Sequence, residues 1–501
     1  MPTPSSRLAN IRYNALDTAS TLRTPGTAST LQTSKTSSAL RTSTYVLAVL
    51  FAINMMNFFD RQLLGAVGEA VRREWGLNDT TLGALGTAFT LLYAVVGLPF
   101  GRLTDRTERR KILAGGVFVW SVFTALSGAA RNFWQLFSVR LLVGVGEATC
   151  SPASTSLLGD IFPKTERARA MAVFMLGLPI GLGLANAVGA TIAQAWGWRT
   201  AFYLAAVPGI LCAVAALRIK EPARGLVEEH AVGTKQRTGS PYRLVLSIPT
   251  MWWVIASGAL HNFNMYALGA FLASFLIRYH GVSLRQAGLV AATTYGFSGI
   301  VGLVGGGMLA DRLCRTRVDG RLIVATWAIV ICTPLMFLSL LRPPGDVLGF
   351  SILMGLGCSV MYAYYSTVYS TIQDVVEPSL RGTAMALYFC AMYVLGASLG
   401  PIGTGIISDY FTFKAAAAAG AVEARGLGQL LSDLLPTLVG GVKGHTTAAI
   451  EPFRAVGLHE ALYVVPILGV LLALVLFAAS RTVSGDVSCL QAWMREQSTN
   501  R

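Results

Sequence analysis

An aspartate and an arginine stand side by side, Asp60 and Arg61, inside an apolar run that starts near Tyr45 and is long enough to cross a bilayer. Each charge at the centre of such a helix costs roughly 2.5–3.5 kcal/mol. Charges persist there when they face a water-filled cavity or one another, so the pair reads as a functional site. A second pair, Arg140 and Glu147, lies seven residues apart in another apolar run. That spacing puts both on one helix face, about 10 Å apart along the axis. Gly144 and Gly146 between them let a neighbouring helix approach closely. Asp60 counts to about 24 Å from one end of its span and Arg140 to about 10 Å from the opposite end, similar depths in a core about 30 Å thick. The four charges are therefore expected to line one cavity. Adjacent helical positions diverge by about 100°, so Asp60 and Arg61 look in different directions. Burial and a nearby guanidinium act in opposite senses on a carboxyl group's proton affinity. A conformational change that alters either one moves a proton, which makes Asp60 and Glu147 the candidates for proton coupling. Arg61 and Arg140 suit a phosphate or carboxylate headgroup, because a guanidinium fork binds two oxygens at once. The competing reading is a fixed salt bridge that ties two spans together.

The elements that hold these charges follow from composition. The chain has 501 residues, 53% hydrophobic and 13% charged, where a soluble domain carries about 25% charged residues. Mean hydropathy is +0.56. The apolar runs are continuous and about 20 residues long, which excludes a β-barrel. Twelve spans are expected, at 44–68, 80–103, 112–130, 133–160, 167–195, 199–218, 249–277, 285–310, 321–341, 346–374, 381–409 and 459–480. The net charge of +15 resides mainly at the ends of these runs, which argues against a nucleic-acid partner. Arg102, Arg106, Arg109, Arg110 and Lys111 fill the 2–3 loop, Lys164, Arg167 and Arg169 the 4–5 loop, and Arg312, Arg315, Arg317 and Arg321 the 8–9 loop. The 6–7 loop is also basic, and the alternate loops are poor in base. The positive-inside rule then puts both termini in the cytoplasm of a multi-pass protein of the plasma (inner) membrane. Residues 1–42, rich in Ser, Thr and Ala, read as a disordered tail, and 481–501 as a second cytoplasmic tail. The seven cysteines (150, 212, 314, 332, 358, 390 and 489) have no metal-ligand spacing and read as free thiols. No metal or other cofactor is expected. No nucleophile–histidine pair or Walker loop is present, which speaks against an enzyme and against an ATP-driven pump.

The chain repeats itself. Gly101-Arg-Leu-Thr-Asp105-Arg106 follows span 2, and Gly307-Met-Leu-Ala-Asp311-Arg312 follows span 8. Asp160 precedes Arg167 by seven residues and Ala170-Met171-Ala172 by ten; Asp374 stands in the same relation to Arg381 and Ala384-Met385-Ala386. Asp160 and Asp374 are expected to pair with Arg167 and Arg381. Matched halves predict a transporter with its site near the midplane, between them. The division is a six-helix half at 43–218, an inter-half loop at 219–248, and a second half at 249–480 that contains a long outer loop at 411–458. Weaker site candidates are His261 in span 7, Asn186 in span 5, and Tyr365 in span 10, which shares a face with Tyr362 and Tyr369.

This layout resembles the major facilitator superfamily, whose 2–3 loop signature is similar to Gly101 through Lys111. The resemblance implies a fold of twelve transmembrane helices in two pseudo-symmetric six-helix halves. It also implies that Asp105, Arg106 and Arg109, with Asp160, Arg167, Asp311 and Arg381, latch the cytoplasmic ends during transport. Three further segments resemble the spinster group within it. They are Asn57-Phe-Phe-Asp60-Arg61, Arg140 through Ala148 with Gly159-Asp160-Ile-Phe162, and Pro179 through Leu184 with Glu221-Pro222-Ala-Arg224-Gly225. That likeness implies a secondary-active carrier that moves a lysophospholipid or sphingosine-phosphate-like amphiphile with protons; the chain is expected to be a monomer in the bilayer. Asn57 joins the substrate-binding candidates through the first segment. A carrier of a small organic anion or drug is the alternative.

Overall fold

The computed structural model describes residues 26–222, 240–377, 380–422 and 449–499, with isolated positions between 426 and 432. It divides into residues 1–45 and a large unit, 46–501, which holds the transmembrane bundle. Among the described residues every regular element is helical. The spans are α1 (Gly26–Trp75), α2 (Asp79–Arg106), α3 (Arg109–Ala129), α4 (Phe133–Glu147, resumed as Cys150–Ile161) and α5 (Lys164–Met175, continued to Trp196). They continue as α6 (Trp198–Leu217), α7 (Pro249–Tyr279), α8 (Leu284–Cys314), α9 (Gly320–Leu340), α10 (Val347–Val375), α11 (Arg381–Ala418) and α12 (Glu451–Arg495). Eleven of them are long and apolar enough, unbroken, to cross a membrane. The twelfth, α4, is interrupted after Glu147. Pro152 explains the break, because it has no N–H to offer the carbonyl of Ala148, four residues back. Thr149 Oγ1 donates to the Gly146 carbonyl at 2.8 Å and satisfies part of the exposed backbone.

Helix starts follow the local sequence. Asn78 caps α2 by accepting from Thr81 N at 2.8 Å, and Asn132 caps α4 from Gln135 N at 2.9 Å. Ser283 and Gln286 form a reciprocal capping box at the start of α8. Three helices widen by one π turn near mid-length: α5 at Ala185–Gly189, α8 at Ala292–Phe297 and α11 at Met392–Ala397.

Small residues set the helix contacts, as expected where lipid removes the hydrophobic drive between helices. α3 lies along α6, and α7 along α12. Close backbone approaches at glycines are among the contacts that join spans 1–6 to spans 7–12. A Cβ on Gly83 of α2 would lie 2.3 Å from the Pro401 carbonyl oxygen of α11, and one on Gly296 of α8 would lie 2.3 Å from Gly183 Cα of α5.

Three expected boundaries shift. The helix that becomes α1 begins at Gly26, inside the segment read as a tail; residues 1–25 lie outside the described residues. α11 continues to Ala418 and the chain re-enters helix at Glu451, so both ends of the expected 411–458 loop are helical. The final helix runs through to Thr499, past the expected end of span 12 at 480.

Candidate functional site

Arg61 is the hub where the two groups of spans meet. Its Nε donates to Glu147 Oε2 of α4 at 2.7 Å, and its Nη1 to the Tyr393 hydroxyl of α11 at 3.0 Å. Asn57, one turn earlier on α1, donates Nδ2 to the same Glu147 oxygen at 2.9 Å. Aromatic rings enclose the guanidinium: its carbon lies 4.2 Å from the Tyr93 centroid, 5.1 Å from Phe58 and 5.2 Å from Phe89. Tyr393 also packs on Tyr93 at 4.9 Å and on Tyr266 of α7 at 6.3 Å. The Arg61 side chain is 5% exposed and Glu147 is fully enclosed. This is a desolvated ion pair in a cage of aromatic faces, where charge-assisted bonds and cation–π attraction are strongest.

Asp60 turns away from its neighbour, as the helical offset requires. Its carboxyl group is fully buried and no hydrogen-bond partner lies within reach of either oxygen. It sits among Trp120 and Thr124 of α3 and Arg140 and Glu147 of α4. Arg140 is also buried; its Nη1 donates to the Asp60 backbone carbonyl at 3.2 Å, and its guanidinium faces Phe89 at 5.2 Å. The close approach of α4 to α2 depends on Gly144, where a Cβ would meet the Phe89 carbonyl at 2.8 Å. Four formal charges, two of each sign, thus share one interior region.

The other candidates lie apart from this cluster. Asn186 sits in the π turn of α5, donating to the Leu182 carbonyl at 2.9 Å and accepting from Gln62 at 3.4 Å; Gln62 in turn bonds the Gly269 carbonyl of α7. It belongs to a helix contact. His261 is fully buried, stacked on Tyr364 at 3.8 Å and edge-on to Tyr365 at 4.9 Å, with neither ring nitrogen bonded. Tyr365 donates to Asn262 Oδ1 at 3.2 Å and contacts Tyr369 at 5.6 Å.

At the basic end, the ion pairs among the described residues lie within one group of spans or the other. Arg109, at the start of α3, bonds Asp160 of α4, Glu221 beyond α6 at 2.8 Å and Ser156 at 2.9 Å. Arg321, at the start of α9, holds Asp374 of α10 and reaches Asp311 at 3.4 Å. Among the described residues, Asp160 pairs with Arg109 and Asp374 with Arg321, and not with the expected Arg167 and Arg381. Those two arginines instead cap the preceding span: Arg167 donates to the Gly159 carbonyl at 2.5 Å and Arg381 to the Gln373 carbonyl at 3.0 Å. In both halves the acid pairs with an arginine that opens the preceding odd span, so the internal repeat survives with different partners. The side chains of Asp105 and Arg106 lie outside the described residues.

The opposite end holds a network that the sequence reading missed. Arg278 of α7 binds Asp79 of α2 at 2.9 Å and Glu69 of α1 at 2.6 Å. Arg72 joins Glu69 at 3.0 Å to Glu451 at 2.5 Å, and Arg454 contacts Asp409 of α11 at 3.4 Å. Asp409 also accepts from Thr80 N at 2.9 Å and Thr80 Oγ1 at 2.6 Å, which places a carboxylate on the N-terminus of α2. Among the described residues, every ion pair that joins spans 1–6 to spans 7–12 belongs to this end. In sequence these residues looked like ordinary interfacial charges; only the partners, hundreds of positions apart, reveal a network.

A helical bundle with a buried charge cluster between two groups of spans, closed at one end by ion pairs, defines an integral membrane carrier. The family profile of the Major Facilitator Superfamily matches residues 50–401, and the chain belongs to that superfamily. It is 29% identical over 405 residues to an MFS-type efflux pump of Mycolicibacterium smegmatis, covering 79% of this chain and 90% of that one. It is 29% identical over 397 residues to protein spinster homolog 1 of Rattus norvegicus (73% of each) and 27% identical over 376 residues to the sphingosine-1-phosphate transporter SPNS2 of Danio rerio (71% and 74%). Among solved structures it resembles a bacterial homolog of the human lysosomal transporter spinster, in an inward-facing and unoccupied conformation. The TM-score is 0.73 at 26% identity, over 89% of this chain and 98% of that one.

Proposed function

We propose that this chain is a proton-coupled, alternating-access carrier of an anionic or zwitterionic amphiphile of the lysophospholipid or sphingosine-phosphate type. One observation carries the reading: Arg61 is bonded at once to Glu147 on α4 and Tyr393 on α11, inside an aromatic cage. A guanidinium there suits a phosphate, and the surrounding rings suit the apolar body attached to it. Coupling follows from competition. The substrate anion and the Glu147 carboxylate need the same guanidinium, so anion binding favours a protonated Glu147, and protonation frees Arg61 for the anion. By linkage each then strengthens the other. Asp60 holds a second proton beside Arg140. The ion pairs at one end and the separate clusters at the other support a state open toward the basic end, which positive-inside topology places in the cytoplasm of the plasma membrane. Asp105, Arg106, Arg109, Asp160, Arg167, Asp311 and Arg381 gate that end when the carrier reverses.

The test is uptake into proteoliposomes with an imposed pH gradient, comparing a lysophospholipid, sphingosine phosphate and a small sugar acid. Amphiphile uptake that follows the gradient and fails in Glu147→Gln is expected; uptake of the sugar acid alone removes the amphiphile reading. The likeness to the mycobacterial efflux pump, over 90% of its length, favours one second reading, extrusion of a drug-like compound. The same assay with a lipophilic cation separates the two: gradient-driven movement of the cation without that of the amphiphile supports extrusion.

A further inference from the structure

Two donors on α3, Trp120 Nε1 and Thr124 Oγ1, lie within interaction range of Asp60 yet make no hydrogen bond in the structure. Trp120 and Thr124 are fully buried, and Trp120 Nε1, Thr124 Oγ1 and both Asp60 carboxyl oxygens have no hydrogen-bond partner within reach. The two residues are four apart and share a helix face. Trp120 is seated against α4 where that helix carries its acid: a Cβ on Gly146, next to Glu147, would lie 2.8 Å from Trp120 N. Thr124 is the exception on its own helix. Ser121 donates back to the Val117 carbonyl at 2.7 Å and Ser127 to the Phe123 carbonyl at 3.0 Å, but the Thr124 hydroxyl makes no such bond. Native interiors rarely leave such groups unbonded. Here two unused donors and one unused carboxyl group, complementary in kind, lie within interaction range of one another.

We propose that Trp120 and Thr124 are positioning residues for the proton site at Asp60, donating to its carboxylate when the proton leaves and releasing it when the proton returns. The inference rests on the reading that Asp60 carries a coupling proton. The remaining groups facing Asp60 are Arg140 and Glu147 from α4 and Cys212 from α6. Loss of a donor removes stabilisation from the ionised form alone, so the proton is held to higher pH.

The experiment is proton-driven uptake in proteoliposomes as a function of pH, for wild type, Trp120→Phe, Thr124→Val, Thr124→Ser and Asp60→Asn. Trp120→Phe keeps an aromatic ring and loses the N–H; Thr124→Val keeps the shape and loses the hydroxyl. Each is expected to move the pH of half-maximal uptake upward by about one unit, the scale of one hydrogen bond to a charged group. Thr124→Ser is expected to keep the wild-type midpoint, an outcome that loss of packing does not produce. The inference is overturned if Trp120→Phe and Thr124→Val titrate like wild type while Asp60→Asn has lost proton-driven uptake. If Asp60→Asn keeps proton-driven uptake, the coupling role of Asp60 falls and this inference with it.

Discussion

Arg61 serves two helices with one guanidinium, and the two bonds differ in what they respond to. The bond to Glu147 depends on a proton; the bond to Tyr393 depends on the distance between α1 and α11. Tyr393→Phe removes only the second. A hydrogen bond to a charged group contributes about 1.5–3 kcal/mol, so amphiphile affinity is expected to change by about tenfold or more while the protein still folds, measurable by binding to the purified carrier. At this scale the sequence was informative about the charges. Asp60, Arg61, Arg140 and Glu147 stand out because charge is costly in a span, and span geometry suggested a common depth. The cage was not legible. Phe58, Phe89, Tyr93 and Tyr393 look like any other aromatic residues of an apolar helix until α2 and α11 bring them around one cation.

At the scale of elements, the closed end depends on charge pairing and on glycine. Arg278 neutralises Glu69 and Asp79, both almost fully enclosed. Arg278→Ala leaves two buried carboxylates short of their partner, a loss of about 3–5 kcal/mol for a broken buried pair. The expected result is that this end opens: Ala84→Cys, buried on α2 in the present state, becomes reactive toward a membrane-impermeant thiol reagent only when combined with Arg278→Ala. Equal reactivity in both backgrounds counts against a gate. Gly83→Val acts on the same contact by steric means, since the side chain collides with the Pro401 carbonyl. It is expected to slow transport by disfavouring closure of this end, without weakening binding at Arg61. The spans themselves were legible in the hydropathy, but the break in α4 was not: 133–160 reads as one apolar run, and Pro152 inside it interrupts the helix. The helical ends of 411–458 were not, because Asp409, Glu451 and Arg454 lower the local hydropathy while Glu451 pairs with Arg72 of α1, Asp409 with Thr80 of α2, and Arg454 with both acids.

For the whole molecule, one end is joined by charges, and at the other the described residues form an Arg109 cluster and an Arg321 cluster of similar design. The inner charges lie between these ends, so each change of state alters which side reaches them. On the proposed reading, a proton at Glu147 and an anion at Arg61 would favour one another, and the pH difference across the membrane would set the direction of flow. The most direct test is the affinity of purified protein for a lysophospholipid or sphingosine phosphate between pH 5 and pH 8, for wild type and Glu147→Gln, at about 0.15 M salt. Shared use of Arg61 predicts wild-type affinity that rises as pH falls, and Glu147→Gln affinity that is high at every pH, with the proton dependence lost. The same pH slope in both proteins contradicts it.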